Sequence, residues 1–293
     1  MPVPVASTLV NPQNGNLAFK LFSFEGNTHF DHIQRLNYFS LIWIRKGSGK
    51  LKADFSEYDF TLDDLFAFAP YQPFMIETNQ LIEGVVLHFH PEFFCIHKHQ
   101  QEVACNGMLF NNIYKPPFVK VDEVAKQTFE ILITQIKQEM QETALGQYEL
   151  LVSYLKIFLI TATRLKAQQQ PEVEQLVVDN KEPFILQDLK NYIELNFKTK
   201  HGASDYAELL HISPKALAKI TKTHFNKTIT DLIAERIMIE AKRELYLSDK
   251  PVKQIAYELG YEDEYYFSRF FKNNADVSPK LYRETVGFAR GAA

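Results

Sequence analysis

Two groups of side chains in this sequence stand at spacings suited to chemistry. Lys215, Lys219 and Lys222 recur at intervals of four and three, which on a helix makes one side a row of ammonium groups suited to phosphate oxygens. Farther on, Glu264, Tyr265, Ser268, Arg269 and Lys272 fall on the outer side of a helical pattern whose inner side is Phe267, Phe270 and Phe271. That outer mixture of hydrogen-bonding, aromatic and basic groups suits base edges and phosphates. Apart from these two stands the run His88, His90, His97 and His99 with Glu92, Cys95 and Cys105. Imidazole, carboxylate and thiolate are all metal-ligand types.

Motifs for catalysis are missing. The chain has no nucleophile elbow, Walker loop, Gly-rich dinucleotide fingerprint or zincin helix, so neither a catalytic residue nor a cofactor is expected. The net charge of −4 argues against a polyanionic partner, but it averages two unlike parts. Residues 1–195 carry 16 Lys/Arg against 23 Asp/Glu, and residues 196–293 carry 16 against 13. The basic share lies at the C-terminal end, where the lysine row is.

At roughly 150 residues a domain, 293 residues make about two domains, each able to bury a core. The 24 Phe and 14 Tyr weigh against disorder. No apolar run reaches the roughly 18 residues of a membrane span, and Met1 to Asn11 lacks a basic segment followed by an apolar one. A cytoplasmic protein with no membrane partner is expected, with its two cysteines as reduced thiols.

Up to about Lys120 the pattern is that of short strands. Leu51, Ala53 and Phe55 alternate with polar residues, as do Tyr58, Phe60 and Leu62. Turns at Gly47-Ser48-Gly49, at Asp63-Asp64 and at Pro70 to Pro73 separate strands at Ser40–Arg45, Lys50–Phe55, Tyr58–Leu62, Leu65–Ala69 and Phe74–Thr78. A small β-barrel over residues 1–120 follows. Aromatics on its strands, Trp43, Phe66, Phe68 and Tyr71, read as core rather than as a ligand box. Over residues 121–167 the period is helical: Val124, Phe129, Leu132, Ile133, Ile136 and Met140, then Leu150, Leu151, Tyr154, Leu155, Phe158 and Leu159. This helical hairpin can pack on the barrel, on itself or on a second copy of the chain. A polar linker spans 168–183.

From residue 184 on, short helices follow one another. Ser213-Pro214 and Ser278-Pro279 each set an N-cap hydroxyl before a first-turn Pro. Asp231–Leu247 reads as one long helix. Val252–Leu259, a sharp stop at Gly260, and Glu264–Asn273 have helix-turn-helix spacing, with Ala256 at the close crossing. A second such unit lies upstream, in Tyr206 to Leu210, the turn His211-Ile212, and Ser213–His224.

The run from Pro251 through Gly260-Tyr261 and Tyr266-Phe267-Ser268-Arg269-Phe270-Phe271-Lys272 to Ser278-Pro279 and Tyr282-Arg283 resembles the signature of the AraC/XylS family of bacterial transcription regulators. The likeness extends over about Phe184–Arg290. It implies an α+β protein: a cupin-like N-terminal sensor barrel with a helical hairpin, then an all-α domain at 184–293 of two helix-turn-helix units joined by a linker helix. It further implies that Lys215, Ala218, Lys219 and Lys222 of one helix, and Glu264, Tyr265, Tyr266, Ser268, Arg269 and Lys272 of the other, contact operator DNA in successive major grooves. The partners implied are double-stranded DNA, a small-molecule effector, a second copy meeting through the hairpin, and RNA polymerase. Thr221 stands where the family usually has an aromatic residue, and Asn226 where it usually has Gly. The His run does not match the metal-cupin spacing of two His, a Glu several residues later and a distant third His. Structural roles are therefore preferred, and the alternative is a metal-binding cupin enzyme or metal sensor fused to a DNA-binding domain.

Overall fold

The computed structural model describes residues 6–11, 15–103, 107–141, 144–169 and 182–286. Cys105, Arg290 and most of the expected linker at 168–183 lie outside the described residues. The chain divides into two compact units. The first comprises Met1–Ala53, Glu57–Asn112 and Pro116–Gln170, and the second Asp54–Ser56, Ile113–Lys115 and Pro171–Ala293. The fold is α+β, with the strands in the first half of the chain and a helical second half.

The strands are β1 (Ser7–Val10), β2 (Leu17–Glu25), β3 (Phe39–Lys46), β4 (Gly49–Ala53), β5 (Ser56–Phe60), β6 (Asp64–Phe68), β7 (Phe74–Glu77), β8 (Glu83–Phe89) and β9 (Phe118–Lys120). They form a six-stranded sheet in the order β1-β2-β8-β3-β6-β9 and a three-stranded sheet in the order β5-β4-β7. Between the sheets, Phe24, Ile42, Ile44, Phe66, Phe68 and Val86 meet Leu51, Ala53, Phe60, Phe74 and Ile76. Phe68 stacks flat on Phe74 with ring centroids 4.0 Å apart. Because side chains alternate along a strand, the intervening residues Phe19, Leu21, Leu41, Trp43, Val85 and Leu87 face the other way. They are covered by helices, which is why β3, β6 and β8 are almost continuously apolar rather than alternating.

The covering helices are α2 (Glu123–Glu139) and α3 (Gln147–Gln168), preceded by the short α1 (Gln100–Val103). Phe129 of α2 stacks on Phe158 of α3 at 4.0 Å and meets Trp43 edge-on at 5.9 Å. Leu155 and Phe158 are thus core, within the unit, and so are Trp43, Phe66, Phe68 and Tyr71. Part of the expected apolar stripe is not: Val124 is 77% exposed and Leu150 is also on the surface, where Ile131 and Ile157, outside that stripe, join them. Two expected strand ends also differ. Phe55 and Leu62 are exposed, since β4 ends at Ala53 and Asp54 turns the chain with φ of 50° before Phe55 can join the pleat. In the same way β5 ends at Phe60.

The second unit runs α4 (Glu182–Asn196), α5 (Ala203–Leu209), α6 (Pro214–Phe225), α7 (Ile229–Leu247), α8 (Val252–Glu258), α9 (Glu264–Ala275) and α10 (Pro279–Val286). Its long central helix buries Leu232, Ile233, Ile237, Ala241 and Leu245. A capping box between Thr228 and Asp231 starts α7 two residues earlier than its apolar stripe suggests.

Candidate nucleic-acid interface

The second unit contains one structural motif twice. Ser213 caps α6 by accepting from the Ala216 N–H at 3.2 Å, and fifty positions on Asp263 caps α9 by accepting from the Tyr265 N–H at 2.7 Å. Both helices end on a left-handed residue, Asn226 with φ of 56° and Asp276 with φ of 64°. Asn and Asp tolerate that conformation better than most residues, so the missing glycine at 226 does not prevent the turn. The helix before each also stops alike, on left-handed His211 or Gly260, with Ile212 N–H donating to Ala207 O and Tyr261 N–H to Ala256 O, each at 3.0 Å.

The two copies are not packed equally. α9 is held by an aromatic chain, in which Tyr261 meets Phe267 at 5.3 Å and Phe271 meets Tyr282 at 5.5 Å. Phe271 is fully buried, while Phe270, expected to be inward, is only half-buried. At the equivalent place in α6, Thr221 is fully buried, and its hydroxyl donates back to Ala218 O at 3.2 Å. A methyl and a back-bonded hydroxyl thus fill the space that a ring fills in the other copy. Ile220 is half-buried beside Leu217.

Packing one side of each helix leaves the other outward. Lys215, Ala218, Lys219 and Lys222 are exposed on α6. On α9 Tyr265 is 78% and Tyr266 60% exposed, Arg269 and Lys272 are exposed, and Glu264 and Ser268 are half-buried. The Arg269 guanidinium lies 5.9 Å from the Tyr266 ring centre.

The cations of the unit differ in their surroundings. Several of the scaffold are neutralised within it: Lys250 reaches Glu258 at 2.6 Å and Glu244 at 2.9 Å, Arg236 reaches Glu194 at 2.7 Å and Glu240 at 3.2 Å, and Lys227 reaches Glu235 at 2.7 Å. Glu258, then Glu244, hold Lys250 above the ordinary lysine range. Arg283 donates to the carbonyls of Leu245 at 3.1 Å and Lys250 at 2.7 Å, tying α10 to the end of α7. By contrast, among the described residues none of Lys215, Lys219, Lys222, Arg269 or Lys272 makes an ion pair; Lys222 has only a 3.5 Å contact with Asn226 O.

The His run of the first unit does not assemble into a site. His88 is buried on β8 between the rings of Tyr38 at 4.5 Å and Phe22 at 5.6 Å. Buried His90 accepts from the Glu92 N–H at 3.3 Å and lies 3.6 Å from the Glu92 carboxylate. His99 stacks on Phe94 at 4.7 Å beside Glu102, while His97 and Cys95 lie in the turns before α1. Among the described residues no three His, Cys, Asp or Glu side chains converge to hold a metal ion.

Paired helix-turn-helix motifs on a common central helix, with unpaired cations on the outer helix of each, define a DNA-binding module of the transcription-regulator class. Residues 206–285 match the family described as "Helix-turn-helix domain". The chain is 30% identical to regulatory protein SoxS of Escherichia coli over 102 residues, 35% of this chain and 95% of SoxS. It is 27% identical to the raffinose operon transcriptional regulatory protein RafR of Pediococcus pentosaceus over 140 residues, 48% of this chain and 46% of RafR. Under half of RafR is therefore spanned. The structure of an apo ToxT variant from Vibrio cholerae is similar over 93% of this chain and 99% of that one, with 16% identity and a TM-score of 0.41. The chain belongs to the AraC/XylS family of transcription regulators.

Proposed function

We propose that this protein is a sequence-specific DNA-binding transcription regulator that inserts α6 and α9 into successive major grooves and answers to a small-molecule effector held by its first unit. The observation that carries the DNA part is the division of cations just described. A helix that merely solvates its surface commonly pairs its lysines with carboxylates three or four positions away, and the exposed sides of α6 and α9 do not. In this reading Lys215, Lys219, Lys222 and Lys272 neutralise phosphates. Arg269, Ser268, Glu264, Tyr265 and Tyr266 meet base edges, and Ala218 allows close approach of α6 to the groove wall.

The regulator pairs with a second copy through the hairpin. The surface residues Val124 and Ile131 are seven positions apart on α2, and Leu150 and Ile157 seven apart on α3, the spacing of a helix–helix seam. Such a regulator works in the cytosol alongside RNA polymerase. The alternative of a metal-binding cupin enzyme or metal sensor draws no support from the dispersed His run.

The test is binding of the whole protein to a library of genomic fragments at several salt concentrations. The expected result is selection of a few sites sharing two motifs about 34 Å apart on one face of the duplex. Binding to all fragments alike would defeat the sequence-specific reading.

A further inference from the structure

The face of the large sheet that meets the small sheet is mostly apolar, and polar residues cross it at its ends, as the Asp64–Lys120 ion pair of β6 and β9 and as a row that spans three other strands. In the strand registers Lys20 lies opposite His88, His88 opposite Ser40, and Ser40 opposite Phe68. Lys20, His88 and Ser40 therefore run side by side across β2, β8 and β3, near the ends of the latter two strands. They share a face with the next row inward, Phe22, Val86, Ile42 and Phe66, because residues two apart on a strand point the same way.

Burial makes this row unusual. Ser40 is 1% and His88 3% exposed, yet neither the Ser40 Oγ nor the His88 Nδ1 has a hydrogen-bond partner. Buried polar groups are normally satisfied, so two unsatisfied ones on facing residues point to something they both serve. The Lys20 ammonium sits 4.8 Å from the Phe22 ring centre, and among the described residues no carboxylate pairs with it. Burial, and after it the charge of Lys20, push His88 down to about 3, so the imidazole is neutral and carries one ring N–H.

We propose that this row is the polar end of the effector site of the first unit, and that its ligand is a small organic carboxylate. Lys20 supplies the counter-charge, Ser40 Oγ and His88 Nδ1 donate hydrogen bonds, and the rings of Phe22 and Tyr38 on either side of His88 flank the apolar body. The inference rests on the sensor reading above and adds to it the chemistry of the ligand. One ammonium, one hydroxyl and a neutral imidazole in its Nδ1–H tautomer match the single charge and two oxygens of a carboxylate. A phosphate, with more charge and no arginine fork to receive it, is poorly matched.

The experiment titrates the whole protein with benzoate and hexanoate, and in parallel with benzamide, hexanamide and inorganic phosphate. Binding is followed by calorimetry and by the imidazole resonances of His88. The carboxylates are expected to saturate and to move the His88 signals, with the amides and phosphate at least about tenfold weaker. Lys20→Met and Ser40→Ala should each lower carboxylate affinity about tenfold with little change in the melting temperature of the free protein, and Lys20→Arg should retain binding. The proposal is overturned if neither carboxylate moves the His88 signals at tens of millimolar, roughly the limit of specific binding, or if Lys20→Met binds as the parent does. Binding of an amide in place of the carboxylates would overturn the ligand class and leave the sensor reading standing. Carboxylate binding at His88 that leaves DNA occupancy unchanged would do the reverse.

Discussion

Gly260 is the position at which a single added methyl group should do the most damage to the second helix-turn-helix. Its φ is 81°, and a Cβ built there would lie 2.0 Å from the carbonyl oxygen of Lys198. Ordinary Cβ contacts begin near 3.4 Å, so the carbonyl would have to retreat by more than 1 Å. That carbonyl belongs to backbone following buried Phe197, whose ring carries the Arg236 guanidinium at 4.0 Å, so the retreat disturbs a packed aromatic and its cation. Gly260→Ala should then cost about 1 kcal/mol for the left-handed backbone and roughly 2–3 more for the displaced contact. His211 provides the internal control, because it occupies the matching place with φ of 52° and already carries a Cβ. His211→Ala should change stability by less than about 0.5 kcal/mol. Calorimetric unfolding of the whole chain, with hydrogen exchange at the amides of α9, measures both. A loss of about 3–4 kcal/mol lowers the midpoint of a unit this size by roughly 12 °C or more. If Gly260→Ala costs no more than His211→Ala, close approach to Lys198 is not what requires glycine.

Three further outcomes are expected. Arg269→Ala should weaken the best site by about 1–3 kcal/mol and relax preference at one or two base positions, whereas Lys222→Ala should weaken every sequence alike and lower the salt slope by about one. A lower melting temperature with base preference intact would instead make Arg269 structural. His88 is held neutral by burial, from 6.5 down to about 3. Since its folded value is depressed, the unfolded chain takes up the proton first and stability falls with pH; acidification from about pH 7.5 to 5 should cost about 2 kcal/mol that His88→Gln does not lose. A parallel pH dependence in the two proteins would refute this. Ile131→Asp with Ile157→Asp should turn the proposed dimer into a monomer in sedimentation without changing the melt, whereas Leu155→Asp should unfold the first unit. A dimer that survives the double substitution would move the interface elsewhere.

The sequence made some of this legible and hid the rest for identifiable reasons. Gly260, the Phe267 and Phe271 spacing and the Ser-Pro caps are local signals, each tied to its element by backbone chemistry that operates over a few residues. The exposed positions of α6 and α9 could be read for the same reason, because a helix with a defined inner side has a defined outer one. The left-handed turn at His211 has no such signature, and it becomes visible only when the motif is laid on its second copy. Phe55 and Leu62 fall outside the strands because alternation continues through a sequence after the strand that uses it has ended. The row Lys20, His88 and Ser40 is the extreme case: these residues are tens of positions apart, each unremarkable alone, and only the sheet register brings them together.

The two copies of the motif also diverge on the side facing away from the core. Fifty positions separate Lys215 from Tyr265, Ala218 from Ser268, Lys219 from Arg269 and Lys222 from Lys272. Only the last pair keeps both type and charge, and it lies in the final turn of each helix. Toward the N-terminal ends, the part that reaches the groove floor when such a helix docks, α6 offers ammonium groups on flexible stems and α9 offers rings and a planar guanidinium. Flexible point charges hold phosphates with little regard to sequence, and rigid planar groups discriminate between base edges. The packing beneath follows the same division. Aromatic rings fix the orientation of α9, as reading requires, while Thr221 leaves α6 on a smaller core, which is sufficient for a helix that anchors. In the proposed site α6 thus anchors more and α9 reads more, so that of the two operator motifs the one under α9 should carry the larger share of the sequence information.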